Sequence, residues 1–84
     1  MYSINRINNT GSRIEHAEFW VLPGERLIDK LEEVLYILYE EEPLSNRWWW
    51  ELQGQGYTRL SYHNLEFSML TYDESRKTFV ITED

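Results

Sequence analysis

The segment between Pro23 and Pro43 constrains the fold most, because its apolar residues recur with an unambiguous helical period. Positions three, four and seven apart fall on one face of an α-helix. The apolar residues of this face are Leu27, Ile28, Leu31, Val34, Leu35 and Leu38. The pattern therefore predicts a helix that opens at Pro23-Gly24 and runs to about Glu41, where the following Pro43 stops it.

The rest of the chain is typical of short strands separated by polar turns. Strand-like segments cover residues 2–7, 13–22, 47–53, 57–62, 65–72 and 77–82. Their close spacing favours antiparallel pairing. We therefore expect one α+β domain over residues 1–84. It would be a two-layer sandwich, an antiparallel sheet of about five strands with one long helix on one face, in the order ββαβββ. Six segments resemble strands, one more than this order holds.

The composition is typical of a small cytoplasmic domain. The chain has 84 residues and no cysteine, so it offers no disulfide, no thiolate zinc site and no cysteine nucleophile. Its first residues lack the basic-then-apolar pattern of a signal peptide, and its apolar runs are too short to span a bilayer. We therefore expect a cytoplasmic location and no membrane partner.

The formal net charge of −7 is concentrated in the middle of the chain. Residues 15–42 carry nine acidic side chains against two basic ones. Direct binding of nucleic acid is disfavoured, because phosphate contacts need clustered lysine and arginine. A basic protein partner is favoured instead. The alternative is that the charge only keeps a small domain soluble.

The polar side of the predicted helix holds most of this charge. A row of carboxylates can occupy a basic groove that is built for phosphates. The last three acids of the segment lie at the negative end of the helix dipole, where each costs about 0.3–1 kcal/mol. Such local conflicts gather at functional sites, although a solvated helix face is the simpler alternative. The candidate protein-binding residues on the helix are Glu32, Glu33, Tyr36, Glu40, Glu41 and Glu42.

Three consecutive tryptophans are the least common feature of the sequence. In a strand, Trp48 and Trp50 share one face, and Trp49 points to the other, beside Arg47 and Glu51. Exposed tryptophan and arginine are enriched at binding hot spots. Arg47, Trp49 and Glu51 therefore complete the candidate protein-binding site. The alternative is that a loop or an aliphatic stem covers Trp49.

No catalytic or metal-binding motif stands out from the sequence. His16 and His63 are far apart, and the serines lack a nucleophile elbow. Gly54-Gln55-Gly56 lacks the lysine and the helix of a phosphate-binding loop. We therefore expect no enzymatic activity, no metal and no cofactor.

In size, charge and one-domain build the chain is similar to small acidic inhibitors of phages and other mobile elements, such as anti-CRISPR and anti-restriction proteins, and to toxin-neutralising immunity proteins. This similarity involves no motif and implies no residue roles. We hypothesise a non-enzymatic acidic protein that inhibits or neutralises a basic, nucleic-acid-handling protein. One alternative is a structural subunit or homodimer that pairs through an aromatic sheet face or an edge strand. Another is a module that binds a small ligand, such as a sugar, on stacked aromatics.

Overall fold

The structure is a computed structural model that describes residues 1–40, 47–62 and 65–83. Within these ranges, five strands and two helices follow one another in the order ββααβββ. They are β1 (Tyr2–Ile7), β2 (Arg13–Phe19), α1 (Leu27–Tyr39), α2 (Arg47–Gln55), β3 (Tyr57–Tyr62), β4 (Leu65–Asp73) and β5 (Thr78–Glu83). The α+β class predicted from the sequence is confirmed, whereas the prediction of one long helix is wrong.

Residues 47–53, predicted as a strand, form most of α2. The prediction is wrong because a run of large aromatic residues has no alternation of its own, and the strand propensity of tryptophan depends strongly on context. In the helix, Trp48 and Leu52 lie four residues apart and are both buried, whereas Trp50 is 71% exposed. This i, i+4 spacing was visible in the sequence. Assigning it to a helix also removes the surplus sixth strand.

Helix α1 is shorter than predicted at its beginning. Pro23 and Gly24 lie in a separate turn, and the helix begins at Leu27 and ends at Tyr39. Its inner side is the one that the periodicity predicted, with three fully or nearly buried residues. The predicted continuation to Glu41 is wrong, because Glu40 already has a left-handed backbone. The predicted stop at Pro43 lies outside the described residues. The buried residues of α1 are Leu31, Val34 and Leu35.

The sheet is mixed rather than antiparallel, with the strand order β2-β1-β5-β4-β3. The hairpin of β1 with β2 and the meander of β3, β4 and β5 are antiparallel, as predicted. However, β1 and β5 pair in parallel at the centre of the sheet. A wholly antiparallel sheet was expected because short loops report only on strands that are neighbours in sequence. The pairing of the first strand with the last leaves no such signal.

The core lies between the helices and one face of the sheet. Every second residue of the strands enters it, including Ile4, Phe79 and Leu70, and α1 and α2 cover them from the other side. One row of rings crosses four strands on this face. We call Phe19, Tyr2, Phe79 and Tyr72 the aromatic row; successive ring centroids are 5.5, 6.3 and 4.3 Å apart. The row ties the four strands together through side chains as well as backbone.

An ion-pair cluster holds the end of α1 against the central strands. Arg6 Nε donates to Glu83 Oε1 at 2.8 Å, and the Tyr39 hydroxyl donates to the same oxygen at 2.9 Å. The Arg6 guanidinium also pairs with Glu15 and lies 4.7 Å from the centre of the Tyr39 ring. Because Tyr39 is the last residue of α1, these contacts fix where the helix ends over the sheet.

Two buried hydroxyl groups generate a stability prediction. Thr58 and Ser68 are each 1% exposed, and their side-chain oxygens have no hydrogen-bond partner among the described residues. A buried polar group without a partner costs about 1–3 kcal/mol. We therefore expect Thr58→Val to raise the free energy of unfolding by about 1 kcal/mol in urea denaturation.

The matched control is Thr71→Val in the neighbouring strand. The Thr71 hydroxyl donates to the Val80 carbonyl oxygen at 3.4 Å, so its loss should leave stability unchanged or lower it. A clear loss of stability in Thr58→Val would contradict the expectation and would mean that the Thr58 hydroxyl has a partner.

Candidate protein-binding surface

The side of α1 that faces away from the sheet presents carboxylates and exposed apolar groups together. Tyr36 is 53% exposed and Ile37 is 69% exposed. Tyr36 lies four residues from Glu32, and Ile37 lies four residues from Glu33, so each pair is adjacent on the helix surface. Glu40 follows directly after the last residue of α1. All three glutamates are exposed. We call these five residues the acidic helix face.

Local ion pairs neutralise the acids at the beginning of α1. Arg26 Nε and Nη2 donate to the two carboxylate oxygens of Asp29 at 2.9 and 3.1 Å. These hydrogen bonds, with the nearby positive charge, hold the pKa of the Asp29 carboxyl below its usual value. Glu33 lies 3.7 Å from Lys30 Nζ. The first turns of α1 are therefore partly charge-balanced.

Glu32 and Glu40 differ from these acids. In the ranges that the structure describes, neither forms an ion pair. The negative charge of Glu32 does contribute to raising the pKa of the nearby Arg26 guanidinium. Glu32 lies about one helical turn before Tyr36, and Glu40 lies just beyond the end of α1, where its N–H donates to the Tyr36 carbonyl oxygen. The unpaired charge of the acidic helix face is thus placed on both sides of an exposed aromatic ring.

Glu40 has a backbone conformation that other residues adopt more easily. Its φ is 58° and its ψ is 22°, and its N–H donates to the Tyr36 carbonyl oxygen at 2.6 Å, which closes the end of α1. Glycine or asparagine usually takes this left-handed position, which costs other residues about 1–2 kcal/mol. The Glu40 carboxylate also lies at the negative end of the helix dipole. Glu40 is therefore unfavourable for stability in two ways.

The other predicted site residues lie on α2 rather than on an outward sheet face. Arg47 and Glu51 are exposed. Trp49 is half-buried, with its ring edge-on to Trp48 at a centroid distance of 5.8 Å. The prediction that Trp48 and Trp50 share a face, with Trp49 opposite, is wrong because successive residues of a helix are about 100° apart. Trp50 is the tryptophan of this run that is exposed.

Some predicted residues cannot be placed, and some surface residues were missed. Glu41 and Glu42 lie outside the described residues. Ile37 was not predicted, although its position just off the apolar stripe of α1 was a usable signal. Trp50 was missed because the segment was assigned to a strand.

The sheet face that the helices do not cover, where the homodimer alternative expects an aromatic surface, carries exposed Tyr57 on one edge strand and exposed Ile14 on the other. Because strand residues alternate, the aromatic row lies on the helix side. The described part of the open face carries Tyr57, 49% exposed, on one edge strand. On the other edge strand it carries His16, whose ring nitrogens are 2.6 Å from Asn5 Oδ1 and 3.2 Å from Glu18 Oε1.

Two further classes of site are not found in the described ranges. Across residues 1–40, 47–62 and 65–83, no helix is long and apolar enough to cross a membrane. In the same ranges, no group of three or more histidine, aspartate or glutamate side chains is arranged to hold a metal ion.

Comparison with known proteins identifies no family. No protein-family model, no curated protein and no solved structure matches the chain.

The three tryptophans of α2 generate a second prediction. Trp48 is 3% exposed, so Trp48→Ala should lower the free energy of unfolding by about 3–5 kcal/mol. Trp50→Ala removes the same side chain from an exposed position and should change stability by no more than about 0.5 kcal/mol. Urea denaturation followed by far-UV circular dichroism measures both. Equal losses in the two variants would contradict the helical assignment.

The end of α1 generates a third prediction. Glu40→Gly should raise the free energy of unfolding by about 1 kcal/mol, because glycine adopts the left-handed conformation without strain. Glu32→Gln is the matched control, since it removes one carboxylate from the same helix without changing that backbone position. If Glu40→Gly is no more stable than Glu32→Gln, backbone strain at residue 40 is not significant.

Proposed function

We propose that this protein is a non-enzymatic binding protein that inhibits or neutralises a basic, nucleic-acid-handling protein, with the acidic helix face as its main contact surface. The observation that carries the proposal is the exposure of Tyr36 and Ile37 amid carboxylates. Binding interfaces commonly combine a few aromatic or apolar anchors with a charged rim.

In this proposal, the exposed apolar residues and the unpaired glutamates of the acidic helix face contribute differently to binding. Tyr36 and Ile37 supply buried contact area and slow dissociation. Glu32 and Glu40, which lack partners among the described residues, steer the encounter with a positively charged surface and fix the orientation of the complex. Because they flank Tyr36, they can pair with two separate basic groups of the partner.

Inhibition then follows from occupancy and needs no chemical step. A groove that binds nucleic acid is lined by lysine and arginine. When the acidic helix face lies in such a groove, it competes with phosphates for the same cations. The net charge of −7 favours this competition in the cytoplasm, where we expect the complex to form. No cofactor, metal or direct contact with nucleic acid is required.

The predicted residues beyond α1 extend this surface in the proposal. Arg47 and Glu51 are exposed on α2, which belongs to the same helical layer. Glu41 and Glu42 follow Glu40 directly in the sequence. We assign all of them, with Trp49, to the periphery of the interface, where each substitution is expected to have a smaller effect than one at Tyr36.

A homodimer or structural subunit is the second candidate. Two exposed apolar residues favour it: Ile14, 50% exposed on the edge strand β2, and Trp20, 62% exposed just beyond it. An edge strand can pair with the same strand of a second copy. Sedimentation at several protein concentrations tests this candidate, and a mass that stays monomeric would exclude it.

The proposed function is tested by capture of partners from nuclease-treated lysate of the native host, at low and at high salt. We expect a basic nucleic-acid-binding protein to be retained at low salt, lost at high salt, and displaced by its own DNA or RNA. Tyr36→Ala should weaken the purified complex at least about tenfold. The double variant Glu32→Gln, Glu40→Gln should mainly slow association.

Glu18→Gln is the matched control, because it removes one carboxylate from the open face of β2. Retention that is unchanged by Tyr36→Ala would exclude the acidic helix face as the contact surface. Recovery of no basic protein at either salt concentration would contradict the proposal as a whole.

A further inference from the structure

A cleft of about 450 Å³ opens on the helix side of the sheet, where the helices meet the aromatic row. Tyr2, Phe79 and Tyr72 of the row line it from the sheet, and Trp49 lines it from α2. Glu74, in the turn between β4 and β5, lies at the same cleft. The volume falls within the range of about 300–1,000 Å³ that is typical of ligand sites.

Backbone pairing fixes the rings of this cleft in advance. The Tyr72 ring stacks on Phe79 with centroids 4.3 Å apart, and the Tyr72 N–H donates to the Gly56 carbonyl oxygen at 3.1 Å. Gly56 connects α2 to β3, so this bond also sets the distance between α2 and the sheet. A ligand would therefore meet rings that are already ordered, which lowers the entropy cost of binding.

The cleft is electrostatically suited to a cation. Of the described residues that line it, Glu74 alone carries a charge at neutral pH. The faces of aromatic rings are also negative and attract cations. Burial raises the pKa of the Tyr72 hydroxyl, and the negative charges of Glu74 and Asp73 raise it further.

Tyrosine rings of this chain already attract its own cations. Lys77 Nζ lies 5.5 Å from the centre of the Tyr2 ring, and the Arg6 guanidinium lies 4.7 Å from the centre of the Tyr39 ring. Lys77 is exposed in the β4–β5 turn and is not among the lining residues. Because Tyr2 itself lines the cleft, Lys77 already occupies one face of that ring. An entering cation would therefore stack on Tyr72 or Trp49.

We propose that this cleft receives an arginine side chain of the basic partner, with its guanidinium against the aromatic rings and paired with the Glu74 carboxylate. Arginine suits the site better than lysine, because its planar and weakly hydrated guanidinium stacks on aromatic faces. The identity of the arginine's source rests on the proposed function. The affinity of the cleft for a guanidinium group does not.

The first test uses a small probe and needs no partner. Nα-acetylarginine amide is titrated into the ¹⁵N-labelled full chain, and the indole N–H signal of Trp49, assigned with Trp49→Phe, is followed. We expect a saturable shift with a dissociation constant in the millimolar range. Nα-acetylcitrulline amide has the same shape without the charge and should bind at least about fivefold more weakly.

Two variants separate the local charge from the net charge. Glu74→Gln should weaken binding of the arginine probe about two- to fivefold, as expected for an exposed ion pair. Glu18→Gln changes the net charge equally, away from the lining residues, and should leave binding unchanged. Equal binding of citrulline, stronger binding of a neutral sugar such as methyl glucoside, or no saturable shift in the millimolar range would overturn the guanidinium site.

The second test links the cleft to the partner. Once a basic partner is purified, Glu74→Gln and Trp49→Leu should weaken the complex, whereas Tyr36→Ala should weaken the complex without changing the affinity for the arginine probe. Failure of the probe to bind leaves the role of α1 intact. Binding of the probe with an unchanged complex in Glu74→Gln would overturn the assignment of the cleft to the partner.

Discussion

The parallel pairing of β1 with β5 joins two parts of the sheet that are otherwise local in sequence. The β1–β2 hairpin and the β3–β4–β5 meander each form from neighbouring segments. They meet along one line, where Ile4 lies opposite Phe79 and Arg6 lies opposite Ile81. The Ser3 and Thr78 hydroxyls, 75 positions apart, are 3.2 Å apart across this line. Such long-range pairing is entropically costly to begin and makes the fold cooperative once it is formed.

Both candidate surfaces depend on this central pairing. The Arg6–Glu83–Tyr39 cluster spans β1, β5 and the last residue of α1, so it positions the end of the acidic helix face. The aromatic row crosses the same strands, and the contact of Tyr2 with Phe79 is made across the parallel pair. A change that separated β1 from β5 would therefore disturb the acidic helix face and the cleft together. The two surfaces are distinct in composition but share one support.

The sequence predicted those parts of the fold whose signals are local. The period of residues 27–38 correctly identified the inner side of α1, and with it the outward positions of Glu32, Tyr36 and Glu40. The bounds of β1 and β3 matched the predicted segments, whereas β2 ended three residues early. The parallel pair could not be predicted, because it joins segments at opposite ends of the described chain and depends on how the intervening helices return.

The tryptophan run shows a different limit. Trp48, Trp49 and Trp50 differ in burial, yet they are identical in type, so neither hydropathy nor propensity can distinguish them. The position of Leu52 does distinguish them, because Leu52 lies four residues after Trp48 and shares a helix face with it. The cleft could not be predicted from the sequence for another reason. It combines residues of β1, α1, α2, β4, β5 and a turn, and their proximity exists only in the folded chain.

The two sides of α1 are under different constraints in evolution. Leu31, Val34 and Leu35 face inward and maintain the fold, whereas the side chains of the acidic helix face make no contribution to the buried core. The bond that ends the helix uses the Tyr36 carbonyl oxygen and not its ring. Exposed positions of this kind usually exchange residues at a cost within about 0.5 kcal/mol. The outward side of α1 can therefore diverge quickly between lineages, while the inward side and the sheet are held constant.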